Sequence, residues 1–273
     1  MKEWKYVFII PNYNNDRGEY NGKTYLRNCI ESVLNQTYRN YELVIVDDMS
    51  NDTSVETIES YKDDRIHLIK NKRKRYNGGS RNVGIEYALE NLEFDYIGFL
   101  DSDDWWKHEK VLEGINKAIT RDYELILLGL EVINKLGVFM TKFHQYENYE
   151  DFFLSDNKVW CTAWSRIIRK DKIVFFCEST LMEDRVWSYR QADNVELENV
   201  LNYKEVCYVW NRMNTSNSVS QQRNYFWNAS AYCHIGHQLQ LLGELKHKEM
   251  GRVLLERINK CKEKVNDGEY IQY

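Results

Sequence analysis

The sequence predicts an α/β protein with a single, mostly parallel central sheet flanked by helices. Two observations predict it: short apolar runs of β type alternate with stretches of helical periodicity, and the apolar runs end abruptly in polar or acidic turns. Strands that alternate with helices are joined by crossovers, and crossovers produce a parallel sheet covered on both faces. A chain of 273 residues with 43% hydrophobic content has enough apolar side chain to bury such a core.

The elements follow in order. Lys5 to Ile10 reads as a strand stopped by Pro11 and Asn12, and Leu26, Cys29, Ile30, Val33 and Leu34 then recur at helical spacing. Tyr41 to Val46 is a second strand, ending at Asp47-Asp48. The polar turn Met49 to Asp52 offers Asn51 or Asp52 as N-cap of a helix through Val55, Ile58 and Tyr61. Ile66 to Ile69 is strand-like, the Gly78-Gly79 pair marks a turn, and Asn82 to Glu90 is helical. Tyr96 to Leu100 is a fourth apolar run, ending in Asp101-Ser102-Asp103-Asp104. Near the C-terminus, Arg252 to Val265 alternates basic residues with Val253, Leu254, Leu255 and Ile258, an amphipathic helix expected to pack on the core, with membrane-surface association as the alternative. The expected organisation is a ligand-binding α/β half (1–105), a second half of the same domain (106–220) and a helical C-terminal extension (221–273).

Composition removes several function classes. A net charge of -5 argues against general nucleic-acid binding, which draws its affinity from clustered Lys and Arg. The six cysteines show no CxxC spacing and read as reduced thiols of a cytoplasmic protein. The Tyr6 to Ile10 run is too short for a signal peptide or a membrane span, so the expectation is a soluble protein, or one peripheral at the inner face of the membrane.

Both acidic clusters sit at the carboxyl ends of expected strands, where open α/β sheets bind their ligands. Carboxylates gathered in one crevice repel unless a cation or a hydrogen-bonding ligand offsets them. Oxygen donors of this kind suit Mg²⁺ or Mn²⁺ on a diphosphate. The competing reading is two polar turns that only cap helices.

Five ordered motifs sharpen the choice: Ile9-Ile10-Pro11-Asn12-Tyr13-Asn14, Ser32 to Tyr38, Val44 to Asp52, Asn77 to Gly84, and Phe99 to Trp105. In this order and spacing the chain resembles the family 2 glycosyltransferases, which invert the anomeric centre and have the A-type glycosyltransferase fold. Trp164 to Arg169, Met182-Glu183-Asp184, Tyr208 to Arg212 and Ser216-Asn217-Ser218 extend the resemblance over roughly residues 5 to 220. It implies a nucleoside-diphosphate sugar donor, with a lean toward UDP. Pro11, Asn12 and Tyr13 would line the base pocket, Asp47 would hold base or ribose, and Arg81 would approach base or phosphates. Asp101 and Ser102 would meet the donor. Asp101 would contact the ribose or the metal or its water shell, while Asp103, with Asp104 as a second candidate, would hold Mn²⁺ or Mg²⁺. The acceptor would be a glycan, lipid-linked or other hydroxyl, and a role in bacterial surface polysaccharide or glycoconjugate synthesis is the expectation.

Inversion needs a base on the opposite side of the sugar from the leaving group, and a carboxylate beside the acceptor hydroxyl can serve. Asp184 is the candidate and Glu183 its neighbour and runner-up. Adjacent side chains on a helix diverge by roughly 100°, so only one of the two should face the sugar. The pair could instead simply favour a helix N-terminus.

Other features invite plainer readings. The basic run Lys70 to Arg75 reads as a solvated loop that could steer an anion. Trp105, Trp106, Trp160, Trp164, Trp187 and Trp210 are expected mostly in the core. His234 and His237 are three apart, a spacing a metal site could use but a structural role explains as well. A dinucleotide oxidoreductase would need GxGxxG after the first strand, and Pro11 to Asn14 stands there instead. A phosphatase using the acidic motif, or a nucleotide-sugar-binding protein without turnover, are the remaining alternatives.

Overall fold

The computed structural model of the chain describes residues 2–72, 75–133, 139–142, 163–178, 183–212, 226–248 and 250–266. Its elements are β1 (Tyr6–Asn12), β2 (Glu19–Tyr20), β3 (Lys23–Thr24), α1 (Tyr25–Leu34), β4 (Tyr41–Asp47), α2 (Ser54–Ser60), β5 (Ile66–Lys70), α3 (Tyr76–Asn91) and β6 (Tyr96–Phe99). There follow β7 (Trp105–Trp106), α4 (Val111–Ala118), β8 (Leu125–Ile133), β9 (Phe139–Lys142), β10 (Arg166–Arg169), α5 (Glu183–Asp193), β11 (Val200–Asn211), α6 (Phe226–Glu244) and α7 (Met250–Asn266).

Among the described residues nine strands form one sheet in the order β5-β4-β1-β6-β10-β8-β11-β7, with β9 beside β8. β5, β4, β1 and β6 run parallel. β10 is antiparallel to both its neighbours, β6 and β8, while β8 and β11 are parallel to each other. The sheet runs across position 105, since β6 pairs with β10 from the second half.

Strand alternation explains why these segments look continuously apolar. In β1, Val7 and Ile9 face one core while Tyr6, Phe8 and Ile10 face the other; in β4, Val44 and Val46 oppose Leu43 and Ile45 in the same way. A strand buried on both faces has no polar side to show. α1 and α4 cover one face through Leu26, Ile30, Val33, Val111 and Ile115, and α3, α5, α6 and α7 cover the other through Ile85, Trp187, Leu241 and Leu254. Gly84 lets α3 lie close on β1: a Cβ there would come within 2.5 Å of Ile9 Cγ2.

Three expectations shift. The Gly78-Gly79 pair lies inside the first turn of α3, which begins at Tyr76 rather than near Asn82. The reason is a cap from outside the segment: Asp48 accepts the backbone N–H groups of Arg75 and Tyr76, both at 2.8 Å, so the orphan donors of the helix start are satisfied six residues earlier. α2 begins at Ser54 with Thr53, not Asn51 or Asp52, in the cap position, although Asp52 accepts the Ser54 N–H at 3.0 Å. In α7 the packed stripe is Met250, Leu254 and Ile258, four apart, and Leu255 is 45% exposed. Trp106, Trp164 and Trp187 are buried, Trp105 and Trp210 are half-buried, and Trp160 lies outside the described residues.

Candidate active site

The crevice lies where β1, β4 and β6 end. Asn12 and Asp47 are register partners at the last paired position of β1 and β4. Asn12 Nδ2 donates to Asp47 Oδ1 at 2.9 Å and to Ser50 Oγ at 3.2 Å, while Ser50 donates its hydroxyl to Asp47 Oδ1 at 2.5 Å and its backbone N–H to Oδ2 at 3.0 Å. Asn14 closes the loop: its N–H donates to Ser50 Oγ and its Oδ1 accepts the Asn51 N–H. Three non-glycine residues of left-handed backbone ring this crevice, Asn14 (φ 56), Met49 (φ 66) and Tyr76 (φ 57). Such strain persists only where neighbours hold it, and these polar contacts do.

The two residues of the first acidic pair face different ways. Asp47 ties β1 to its own turn, whereas Asp48 turns toward α3 and also accepts from Asn71 Nδ2 at 2.9 Å. Both are buried. Asp48 thus secures the start of α3 from which Ser80, Arg81 and Asn82 project.

Arg81 is 3% exposed and joins two carboxylates: Nη2 donates to Asp101 Oδ1 at 2.6 Å and Nη1 to Glu183 Oε1 at 3.0 Å. Burial works against its charge, but Asp101 and then Glu183 more than offset this and raise its pKa. Its guanidinium thus lies between carboxylates on both sides, on the face of α3 turned to the acidic turn after β6. Glu183, the first residue of α5, is also buried. Burial and the neighbouring Asp184 carboxylate push its pKa up to about 8, against the pull of Arg81. Gly78 makes room for it, since a Cβ there would lie 2.7 Å from Glu183 Cγ. Asp184, next along the helix, is half-exposed. The segment leading toward α5 is clamped to α3 as well: Asn82 brackets the backbone of Phe176, donating to its carbonyl at 3.0 Å and accepting its N–H at 2.8 Å.

The second acidic turn alternates. Asp101 and Asp103 are half-exposed; Ser102 and Asp104 are buried. Ser102 Oγ accepts from Asn15 Nδ2 at 2.5 Å, joining the turn to the loop after β1. Asp104 accepts the Tyr208 hydroxyl at 2.6 Å and the Asn211 N–H at 2.7 Å, and burial together with Asp103 and Asp101 raises its pKa well above the carboxylate range. Pro11 is buried at the end of β1, and Tyr13 is 45% exposed at the mouth.

The structure therefore bonds Asn12 to Asp47 at the ends of β1 and β4 and Arg81 to Asp101 and Glu183 beside them, with Ser102 and Asp103 on the turn of Asp101 and Asp184 next to Glu183 on α5. Met182 and Ser216 to Ser218 lie outside the described residues. Among the described residues no three His, Cys, Asp or Glu side chains gather into a metal cage, and burial and Arg190 lower the pKa of His237. Sequence reasoning missed Tyr208, Asn211 and Asn82 as parts of this site. Asn82 lies in the Asn77 to Gly84 motif and Tyr208 and Asn211 in the Tyr208 to Arg212 motif, but neither motif told that these side chains brace the turns.

Residues 7–177 match the family described as Glycosyl transferase family 2, well over half of the chain. The chain belongs to that family. It is 34% identical over 138 residues to the Escherichia coli UDP-Glc:alpha-D-GlcNAc-diphosphoundecaprenol beta-1,3-glucosyltransferase WfgD, covering 50% of each chain. It is 28% identical over 231 residues to the Staphylococcus aureus poly(ribitol-phosphate) beta-N-acetylglucosaminyltransferase TarP, covering 81% of this chain and 67% of TarP. The chain spans about half the length, or less, of the first curated relatives it matches. Its fold is that of S. aureus TarS 1–349 in complex with UDP-GlcNAc, with a TM-score of 0.68 at 18% identity over 92% of this chain and 71% of that one. A mannosyltransferase from Pyrobaculum calidifontis in complex with GDP-Man and Mn²⁺ aligns with a TM-score of 0.55 at 13% identity, over 97% of this chain and 70% of that one. No described helix is long and apolar enough to cross a membrane.

Proposed function

We propose that this chain transfers a sugar from a nucleoside-diphosphate sugar, of which UDP-linked donors are the leading class, to an acceptor hydroxyl with inversion at the anomeric carbon. The observation that carries the proposal is the Arg81 bridge, which sets the acidic turn after β6 against the helix that begins with Glu183 and Asp184. Leaving-group chemistry and proton removal need to occur within one sugar's width, and this bridge joins the groups suited to each.

On the donor side, Asn12 Oδ1 is buried with no partner among the described residues, an acceptor suited to the N–H of a base seated beside Asp47 and Tyr13. Asp103 and Asp101 carry the hard oxygen donors and partial exposure that Mg²⁺ or Mn²⁺ needs when its other ligands are water and diphosphate oxygens. When bound there, the cation supplies Lewis-acid stabilisation of the charge growing on the nucleoside diphosphate. On the acceptor side, Asp184 takes the proton of the hydroxyl as that oxygen attacks the anomeric carbon and the bond to the diphosphate breaks. Buried Glu183 stays on Arg81 and steadies the helix start. The acceptors named for WfgD and TarP, a diphosphoundecaprenol-linked sugar and a poly(ribitol-phosphate), make a hydroxyl on a lipid-linked glycan or a surface polymer the acceptor class to test. A peripheral position at the inner face of the membrane fits such acceptors.

The decisive experiment screens nucleoside diphosphates with and without Mn²⁺ by thermal shift, then follows transfer from the best donor by NMR. A metal-dependent UDP response and a product of opposite anomeric configuration are expected. Retained configuration overturns the one-base mechanism, and binding without turnover across donors and acceptors of these classes returns the chain to a binding role.

A further inference from the structure

We propose that Tyr208 is a positioning residue for the metal-holding turn: from β11 its hydroxyl sets the direction in which Asp101 and Asp103 face the diphosphate. This rests on the donor-side reading above and extends it to Tyr208, which lies in the Tyr208 to Arg212 motif but outside the acidic turn itself.

Tyr208 is fully buried, and its ring stacks on Trp164 with centroids 4.5 Å apart and planes 9° apart. Its oxygen cannot wander, and it serves the acidic turn twice. It donates to Asp104 Oδ2 at 2.6 Å and accepts the backbone N–H of Asp101 at 3.1 Å. Three residues further on, Asn211 holds the same turn with its N–H on Asp104 Oδ1 at 2.7 Å and its Nδ2 on the Asp103 carbonyl at 3.0 Å. Both oxygens of Asp104 thus point into the protein, away from any cation. The backbone at 101 and 103 and the carboxylate of Asp104 are held by β11, in addition to the contacts that Cys29, Asn15 and Arg81 make with the same turn from the donor half. With the turn fixed at alternate residues, the side chains of Asp101 and Asp103 are the ones left partly exposed.

Deleting one hydroxyl leaves two buried groups of this turn unpaired, so the geometry of the ligands should loosen while the Trp164 stack keeps the ring in place. Outer partners that orient metal ligands typically contribute ~10–100-fold in metal affinity. The test compares full-length wild type, Tyr208→Phe and Tyr203→Phe. The last removes a hydroxyl from the same strand at a half-buried residue packed over Gly114, away from the turn. Mn²⁺ affinity is read by electron paramagnetic resonance in saturating UDP, and UDP affinity is read without metal. Tyr208→Phe should weaken Mn²⁺ by ~10–100-fold and leave metal-free UDP binding and Tyr203→Phe unchanged. Wild-type Mn²⁺ affinity in folded Tyr208→Phe overturns the proposal alone. Absence of any Mn²⁺ binding in wild type with UDP overturns the donor-side metal reading and this proposal with it. Should Tyr208→Phe fail to fold, Asn211→Ala decides: a weakened Mn²⁺ affinity supports the strut, and an unchanged one overturns it.

Discussion

The acidic turn after β4 and the acidic turn after β6 look alike in sequence and occupy equivalent strand ends, yet the protein uses them differently. Asp47 and Asp48 are both buried and both serve protein donors: Asn12 and Ser50 for one, and Asn71 with the N–H groups of Arg75 and Tyr76 for the other. The later turn alternates, with Asp104 held inward by Tyr208 and Asn211 and with Asp101 and Asp103 partly exposed. Carboxylates at these strand ends therefore divide into struts, held inward by protein donors, and groups left partly exposed. Local sequence does not distinguish them, because apart from Ser50 the partners of the struts come from distant elements. Removing a strut should first be felt in stability, and removing a partly exposed group should first be felt in kinetics.

The largest kinetic effect is expected at Asp184. If its carboxylate acts mainly in the transition state, Asp184→Asn lowers kcat by ~10²–10⁴-fold with donor affinity nearly intact. Glu183→Gln should do less, since buried Glu183 faces Arg81 rather than the crevice. Steady-state kinetics beside donor binding checks this, and near-normal kcat in Asp184→Asn with a folded but dead Glu183→Gln moves the base to Glu183. Next in size is Asp103→Asn, which should keep the fold but lose most of the metal-dependent part of donor affinity. Calorimetry of UDP with and without Mn²⁺ measures that part, and an unaltered increment would make Asp103 another strut.

The strut class has its own signature. Asp48→Ala strips the cap from α3 and leaves the Asn71 amide and two backbone N–H groups without their carboxylate. A lost cap costs about 0.5–2 kcal/mol, and urea unfolding should show a loss toward the upper end, because several donors are orphaned at once. The kinetic effect should follow from Arg81, which α3 carries, and be smaller than that of Asp103→Asn. If Asp48→Ala abolished Mn²⁺ binding at unchanged stability, the two turns would be of one kind after all.

How much of this was readable beforehand follows from where the partners lie. The parallel strands β1, β4, β5 and β6 were legible because each is a short apolar run closed by a turn, and the family motifs fixed the crevice. The start of α3 was not, since its cap comes from Asp48, 28 residues earlier than Tyr76. The second half was hardly legible as strands. β10 inserts antiparallel between β6 and β8, and β11 joins the sheet from beyond α5, so its pairing depends on contacts with no local periodicity. Tyr208 begins one of the family motifs, yet its task was not legible for the same reason: its partner Asp104 lies 104 residues away. The position of Glu183 and Asp184 on one helix start was legible. That Glu183 turns to a buried arginine, leaving Asp184 half-exposed, required the fold.

Glu183 sharpens the comparison most finely, because it is buried like a strut and adjacent to a group that faces the crevice. Burial and Asp184 raise its pKa from 4.5 to about 8, so between those values the folded protein holds a proton that the unfolded chain has released. Stability must then fall as pH rises through this window, because ionisation is easier in the unfolded state. Glu183→Gln removes the titration and keeps an amide oxygen for Arg81. The difference in Tm between the variant and wild type should therefore drift in the variant's favour from about pH 5 to about pH 8, with no matching drift for Tyr203→Phe, whose hydroxyl pKa is held above its ordinary value by burial and which does not titrate there. The pull of Arg81 is already contained in the value of about 8, so the drift reads how far burial and Asp184 outweigh it. A difference that stays flat across that range would mean that Glu183 is ionised throughout and pairs with Arg81 as a plain salt bridge, and its role would then be that of a strut like Asp48.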